Sequence, residues 1–87
     1  MENGKSHVVY ILECSDKTYY TGYTNDLDKR IAKHQSGKGA KYTRGRSPLK
    51  LMFTKGFATK EEAMKEEYRI KRLSRKEKEK LFDKGED

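Results

Sequence analysis

Tyrosines at positions 10, 19 and 20, Arg30, His34 and the adjacent carboxylates Glu66 and Glu67 are the side chains of this 87-residue chain best suited to chemistry. Hydrolysis of a phosphodiester needs a base for water, a cation or guanidinium to meet developing charge, and a route to protonate the leaving oxygen. Tyrosine, histidine, arginine and one glutamate cover those roles. A single carboxylate suits Mg²⁺, because that ion keeps several waters and takes one or two protein oxygens plus substrate phosphates. Each residue type also has a plainer use. Strand tyrosines fill cores, an Arg/His pair is commonly solvated, and a glutamate near a buried face commonly pairs with Lys or Arg. Cys14 reads as a small buried hydrophobe, since neither His7 nor His34 stands at a spacing that makes a site with it.

The elements that must position these groups follow from pattern. Val8-Val9-Tyr10-Ile11-Leu12 is a continuous β-branched and aromatic run, which predicts a strand buried on both faces and central in its sheet. Ser15-Asp16-Lys17 supplies turn chemistry and Thr18-Tyr19-Tyr20-Thr21 resumes the strand pattern, so the two runs predict an antiparallel hairpin. Tyr10 and Tyr20 share a face if the connection holds an odd number of residues and oppose each other across a two-residue turn. Gly22 marks either a bulge or a close backbone approach.

Thr24-Asn25-Asp26 offers caps for a helix over residues 26–36, ended by Gly37, with Arg30 and His34 on one ridge beside the Leu27/Ile31 stripe. Residues 37–48 carry Gly37, Gly39, Gly45 and Pro48 without a period, which predicts a loop with at most a short helical turn. Residues 49–54 predict a third strand. Thr59 and Glu62 have capping-box spacing and open a helix through Leu73; Ser74 and Glu77 repeat the device for a last helix to Phe82. In the former, Glu66 and Glu67 flank the apolar stripe Ala63, Ile70 and Leu73. The result is an α+β fold in the order β-β-α-β-α-α, a three-stranded antiparallel sheet flanked by helices. One domain is expected over residues 7–82, with tails at 1–6 and 83–87.

Composition bounds the partners. With 32% apolar and 40% charged residues, the chain can build only one thin core. Met1 to Lys5 has no apolar signal region and the run Val8 to Leu12 is too short to cross a bilayer, so a cytoplasmic monomer without membrane contact is expected. The net charge of +7 is lopsided. Lys29, Arg30, Lys33, Lys38, Lys41, Arg44, Arg46, Lys50, Lys55 and Lys60 are ten cations in 32 residues with no Asp or Glu between them. Ordinary surfaces mix signs, so a phosphate-facing surface explains this stretch better than solubility does.

Val8-Val9-Tyr10, Tyr20-Thr21-Gly22, Arg30 ten residues after Tyr20, His34 and Glu67, taken in order, resemble the GIY-YIG nuclease signature. The stretches 10–14, 20–27 and 37–44 look like its stand-alone bacterial branch, the YhbQ/YazA type, and the similarity covers residues 7–82. The resemblance implies a GIY-YIG-like fold and a metal-dependent endonuclease, with Tyr10 or Tyr20 activating water and Tyr10 favoured. It further implies Arg30 on the scissile phosphate, His34 assisting proton transfer, and Glu67 rather than Glu66 as the single ligand of a divalent metal, Mg²⁺ ahead of Mn²⁺. Gly22 corresponds to the motif glycine and Tyr42 lies in the branch's loop motif. Departures are Val8-Val9 for the first motif's glycine and isoleucine, and Thr21 for the second motif's isoleucine.

Without a separate targeting module, the basic stretch would have to hold nucleic acid, expected to be DNA, through Lys33, Lys38, Lys41, Arg44, Arg46 and Tyr42. Binding should then be weak, salt-sensitive and sequence-tolerant. A role in DNA repair fits such chemistry. A non-catalytic DNA- or RNA-binding accessory explains the charge equally well but leaves Glu67 without a purpose.

Overall fold

The computed structural model describes residues 6–37, 45 and 48–84, in the order β1 (His7–Glu13), β2 (Tyr19–Thr24), α1 (Leu27–Gln35), β3 (Lys50–Phe57), α2 (Lys60–Lys71) and α3 (Arg75–Lys84). β1 is the middle strand of an antiparallel sheet ordered β2-β1-β3, the place its unbroken apolar run demands. Val9, Tyr10, Ile11 and Leu12 are all buried.

Alternation along β1 divides the core in two. Val9 and Ile11 face α2 and α3, packing with Ala63, Ile70, Phe53, Phe57, Leu73 and Phe82. Tyr10, Leu12 and Cys14 face the opposite way, onto Leu27 and Ile31 of α1, with Leu49 and Tyr20. The sheet is therefore covered on both sides.

The hairpin connection comprises residues 14–18, an odd number, and pairs Leu12 with Tyr20 and Tyr10 with Gly22. Tyr10 and Tyr20 consequently share the α1 face while Tyr19 points to the other. The turn closes through Lys17 N–H to the Cys14 carbonyl (2.9 Å) and Cys14 N–H to the Thr18 carbonyl (2.8 Å), with Lys17 left-handed at φ 71°. Arg75 of α3 braces this turn by donating to the Lys17 carbonyl. Its guanidinium lies 4.6 Å from the centre of the Tyr19 ring, and Glu79 accepts from the Tyr19 hydroxyl at 3.0 Å.

Helix ends follow their side chains. Asp26 caps α1 through Lys29 N–H (3.3 Å), Gly37 ends it at φ +82°, and the Thr59 hydroxyl accepts from Glu62 N–H (3.2 Å) to open α2. Ser74 and Glu77 form a reciprocal box, with Glu77 N–H donating to the Ser74 hydroxyl (3.2 Å) and Ser74 N–H to the Glu77 carboxylate (2.9 Å).

Element ends and the sheet irregularity differ from the sequence expectation. β3 starts at Lys50 and extends past residue 54 to Phe57, because β1 supplies partners as far as His7. The sheet irregularity falls on β3, not at Gly22: Ile11 pairs with Phe53 and Leu12 with Leu51, leaving Met52 unmatched, whereas β1–β2 pairing is continuous. α2 stops at Lys71, short of Leu73, where the Leu73 N–H turns to the Ile70 carbonyl at 3.0 Å. α3 continues past Phe82 to Lys84. The expected loop over 37–48 lies largely outside the described residues.

Thr21 pairs with Ile11 and so sits on the apolar α2/α3 side, 4% exposed, where its hydroxyl has no hydrogen-bond partner among the described residues. Burying an unpaired hydroxyl is unfavourable. Thr21→Val should raise unfolding stability by about 1 kcal/mol in urea melts; a less stable variant would mean the hydroxyl has a partner after all.

Candidate active site

The α1 side of the sheet gathers three rings. The Tyr10 hydroxyl and His34 Nε2 are 2.9 Å apart in the interior. His34 meets Tyr10 edge-on at 5.8 Å between ring centres and lies 5.3 Å from Tyr20, while the two tyrosine rings are 6.3 Å apart. His34 is fully buried, so the solvated-surface explanation fails for it; Arg30, one turn earlier on α1, is exposed.

Gly22 explains how a phenol fits across the sheet. A Cβ there would stand 2.5 Å from the Tyr10 oxygen, 2.6 Å from its Cζ and 3.0 Å from Tyr20 Cε2. The glycine is required by close approach, the second of its two expected uses.

Burial is the main reason the Tyr10 phenol is raised far above its ordinary value, and the neighbouring Tyr20 adds to it. The Arg30 guanidinium opposes this through its charge and a hydrogen bond, and the Glu67 carboxylate pushes the phenol higher. Burial lowers His34, and Arg30 lowers it further. At neutral pH the pair is therefore a neutral imidazole with a neutral phenol. We assign the shared proton to the tyrosine, with His34 carrying its own on Nδ1.

α2 packs against β1 and β2 and carries the two candidate carboxylates, both largely shielded from water. Their surroundings separate them. Glu66 is gripped by a fork from Arg69, at 3.0 Å from Nε and 2.7 Å from Nη2, with Lys55 of β3 at 4.0 Å. The Arg69 bond chiefly holds its carboxyl below the ordinary range. Glu67 has the Lys71 ammonium at 3.3 Å and acts on Tyr10. Tyr10 is thus the common point: His34 bonds to it, and Tyr20, Arg30 and Glu67 each act on it, while Glu66 belongs to a separate ion-pair cluster.

Among the described residues no group of three or more His, Cys, Asp or Glu could cage a metal. A lone, shielded carboxylate fits Mg²⁺ that is completed by water and substrate phosphate, and does not fit a structural zinc site. Cys14 is a buried free thiol, as expected of a small hydrophobe.

Lys33 is exposed and, with Thr24, Asn25, Asp26, Lys29 and Arg30, lines a shallow cleft at the start of α1. Sequence reasoning named the lysines and arginine but not Thr24 or Asn25 as its wall. Of the acid-free stretch, Lys29, Arg30, Lys33, Lys50, Lys55 and Lys60 are all exposed. Lys38, Lys41, Tyr42, Arg44 and Arg46 lie outside the described residues. No described helix is long and apolar enough to cross a membrane.

The strand-borne tyrosine pair over a glycine, the arginine and histidine of the next helix and the glutamate of a later one are the residues through which the sequence resembles the GIY-YIG signature. The chain belongs to the GIY-YIG family, whose catalytic domain matches residues 6–80. Within that family it is similar to a UPF0213 protein of Halobacterium salinarum, 62% identical over 76 residues that cover 87% of this chain and 99% of the relative. The solution structure of a UPF0213 protein from Bacillus halodurans is 62% identical, with TM-score 0.59 over 88% of this chain and 82% of that one. A second solution structure, from E. faecalis, is 44% identical with TM-score 0.64, over 97% and 90% respectively.

Two measurements probe this geometry. Gly22→Ala should cost about 1–3 kcal/mol by overpacking. The same change should cost far less in a Tyr10→Ala background, and additive losses would show that the phenol is not what the methyl meets. The second is pH. Because the folded state holds His34 below the ordinary 6.5, an unfolded chain binds more protons as pH falls through that value. Stability should therefore be complete above 6.5 and decline below it, and His34→Gln should flatten that part of the curve in denaturant titrations from pH 7.5 to 5.5.

Proposed function

We propose that this protein is a metal-dependent endonuclease that hydrolyses phosphodiester bonds in DNA. The observation that carries the reading is the buried 2.9 Å contact between the Tyr10 hydroxyl and His34, with Arg30 and Glu67 both acting on that phenol. Membership of a nuclease superfamily and the exposed cations of α1 and β3 support it.

In this reading substrate binding first admits water to the buried hydroxyl, and Tyr10 then takes a proton from it as its own passes to Nε2 of neutral His34, so no free phenolate is needed. This matters because burial makes a standing phenolate costly. Tyr20 packs beside the histidine and holds the ring orientation. Arg30, exposed at the mouth of the cluster, grips the scissile phosphate and meets the charge that builds there. Glu67 would hold the divalent cation, Mg²⁺ or Mn²⁺, once Lys71 swings away. When bound, such a cation supplies positive charge to the phosphate oxygens. Lys33 and the cleft residues of α1, together with Lys38, Lys41, Tyr42, Arg44 and Arg46 later in the sequence, would hold the DNA backbone.

A second reading, a DNA- or RNA-binding accessory that does not cut, is favoured by one feature: Glu67 is already neutralised by Lys71 at 3.3 Å.

Incubating the pure chain with supercoiled plasmid, branched DNA and single strands separates the two. Nicking should require Mg²⁺ or Mn²⁺, vanish in chelator, and fall at least about 100-fold in Tyr10→Phe, Arg30→Ala and Glu67→Gln while their circular dichroism is unchanged. Variants that cut as fast as wild type, or binding by all of them with no cutting by any, would leave the accessory reading.

A further inference from the structure

On α2 the ridge that carries Glu67 continues into an exposed aromatic and basic surface. Each helical residue turns 100°, so moving outward from Glu67 the surface passes Lys60 and Lys71, then Met64, Tyr68 and Arg72, and ends at Lys65. Glu62, Glu66 and Arg69 occupy the other flank of the buried Ala63/Ile70 stripe, and Glu61 is the one further carboxylate on the near side.

Met64 is 40% exposed and Tyr68 63%, the latter the most open large apolar side chain among the described residues. Tyr68 is not loose. Arg72 donates to its hydroxyl at 2.9 Å, and the guanidinium carbon lies 5.4 Å from the ring centre. The ring is thereby tethered with most of its surface in solvent and a delocalised cation beside it.

We propose that Tyr68 and Arg72 form a stacking platform for an unpaired base of the DNA, next to the phosphodiester that Glu67 serves. The position rests on the nuclease reading above; the binding chemistry does not. An aromatic ring and a guanidinium offer flat faces to a nucleobase, and every base has a π-face to return the contact. Paired bases are stacked on their neighbours and closed to such a ring, so a duplex would meet the charges of Lys60, Lys65, Lys71 and Arg72, offset by Glu61, and not the ring face. Tyr68 directly follows Glu67, its Cα about 3.8 Å away, so a base on the ring belongs to a nucleotide close to the one whose phosphate faces the carboxylate. The preferred substrate therefore has a single-stranded segment at the cutting site.

The test is binding in chelator, where cutting cannot interfere. Fluorescence anisotropy would compare one labelled oligonucleotide as a single strand and as its duplex, with 2-aminopurine quenching as a direct report of stacking. Tyr68→Ala should weaken single-strand binding about 5- to 150-fold, abolish the quenching and leave duplex binding unchanged. Tyr68→Phe, which keeps the ring, should stay within about 3-fold of wild type on both. Equal losses on single strand and duplex, or no loss on either, would overturn the platform. The two proposals fail separately. A wild type that cuts nothing but binds single strands through Tyr68 keeps the platform and removes the nuclease; Glu67-dependent cutting with no Tyr68 effect does the reverse.

Discussion

A phenol hydroxyl in the middle of a thin core is the constraint on which the rest of this structure depends. Tyr10 is wholly buried in the central strand, where an unpartnered hydroxyl would cost about 1–3 kcal/mol. β2 offers it no partner, since the residue opposite is Gly22, which has no side chain. The partner comes from the last turn of α1, so that helix must run its full length at one angle across the sheet. Asp26 sets where α1 begins and Gly37 where it ends, and these two caps thereby determine whether His34 reaches the phenol.

The pleat then separates support from chemistry. Odd-numbered residues of β1 pack with α2 and α3 in an apolar cluster, while even-numbered ones carry Tyr10 into the α1 layer. Tyr19 and Tyr20, adjacent in sequence, show the division most clearly. Tyr19 is bound by Glu79, Arg75 and Phe82 and fastens the hairpin to α3, whereas Tyr20 packs against His34. A slip of one residue in β2 would exchange them and empty the cluster of one ring. The brace from Arg75 to the turn backbone opposes that slip.

What was legible in the sequence was local. The apolar run of β1, the caps at Thr59 and Ser74 and the stop at Gly37 depend on neighbours within four residues and stand where expected. Of the three cap candidates at 24–26, Asp26 takes the place. Properties that depend on a distant partner were not legible. The parity of the hairpin turned on a five-residue connection whose left-handed residue is Lys17, where a glycine or asparagine would have announced the turn. Gly22 could be known to be crowded only once Tyr10 was known to lie opposite. The unmatched Met52 has no local signal at all, because any residue can bulge. Choosing between Glu66 and Glu67 on physical grounds needed the side-chain geometry, because Arg69 and Lys71 both stand within helical reach and only the former closes a two-bond fork.

The Lys71–Glu67 pair bears on how a single glutamate could hold a cation. Lys71 is about half exposed, and an exposed ion pair of this kind is worth only about 0–1 kcal/mol, so holding the lysine there adds little stability. Glu66 is different: two arginine nitrogens grip it in a fork, and a metal would have to break both bonds. A divalent ion would bring twice the charge to Glu67 and would displace one flexible ammonium, but with a single protein carboxylate it would keep most of its waters. Its affinity should therefore rise sharply only when a phosphate arrives to share it. Cation and DNA would then enter the cluster together, with Lys71 holding the carboxylate until they do.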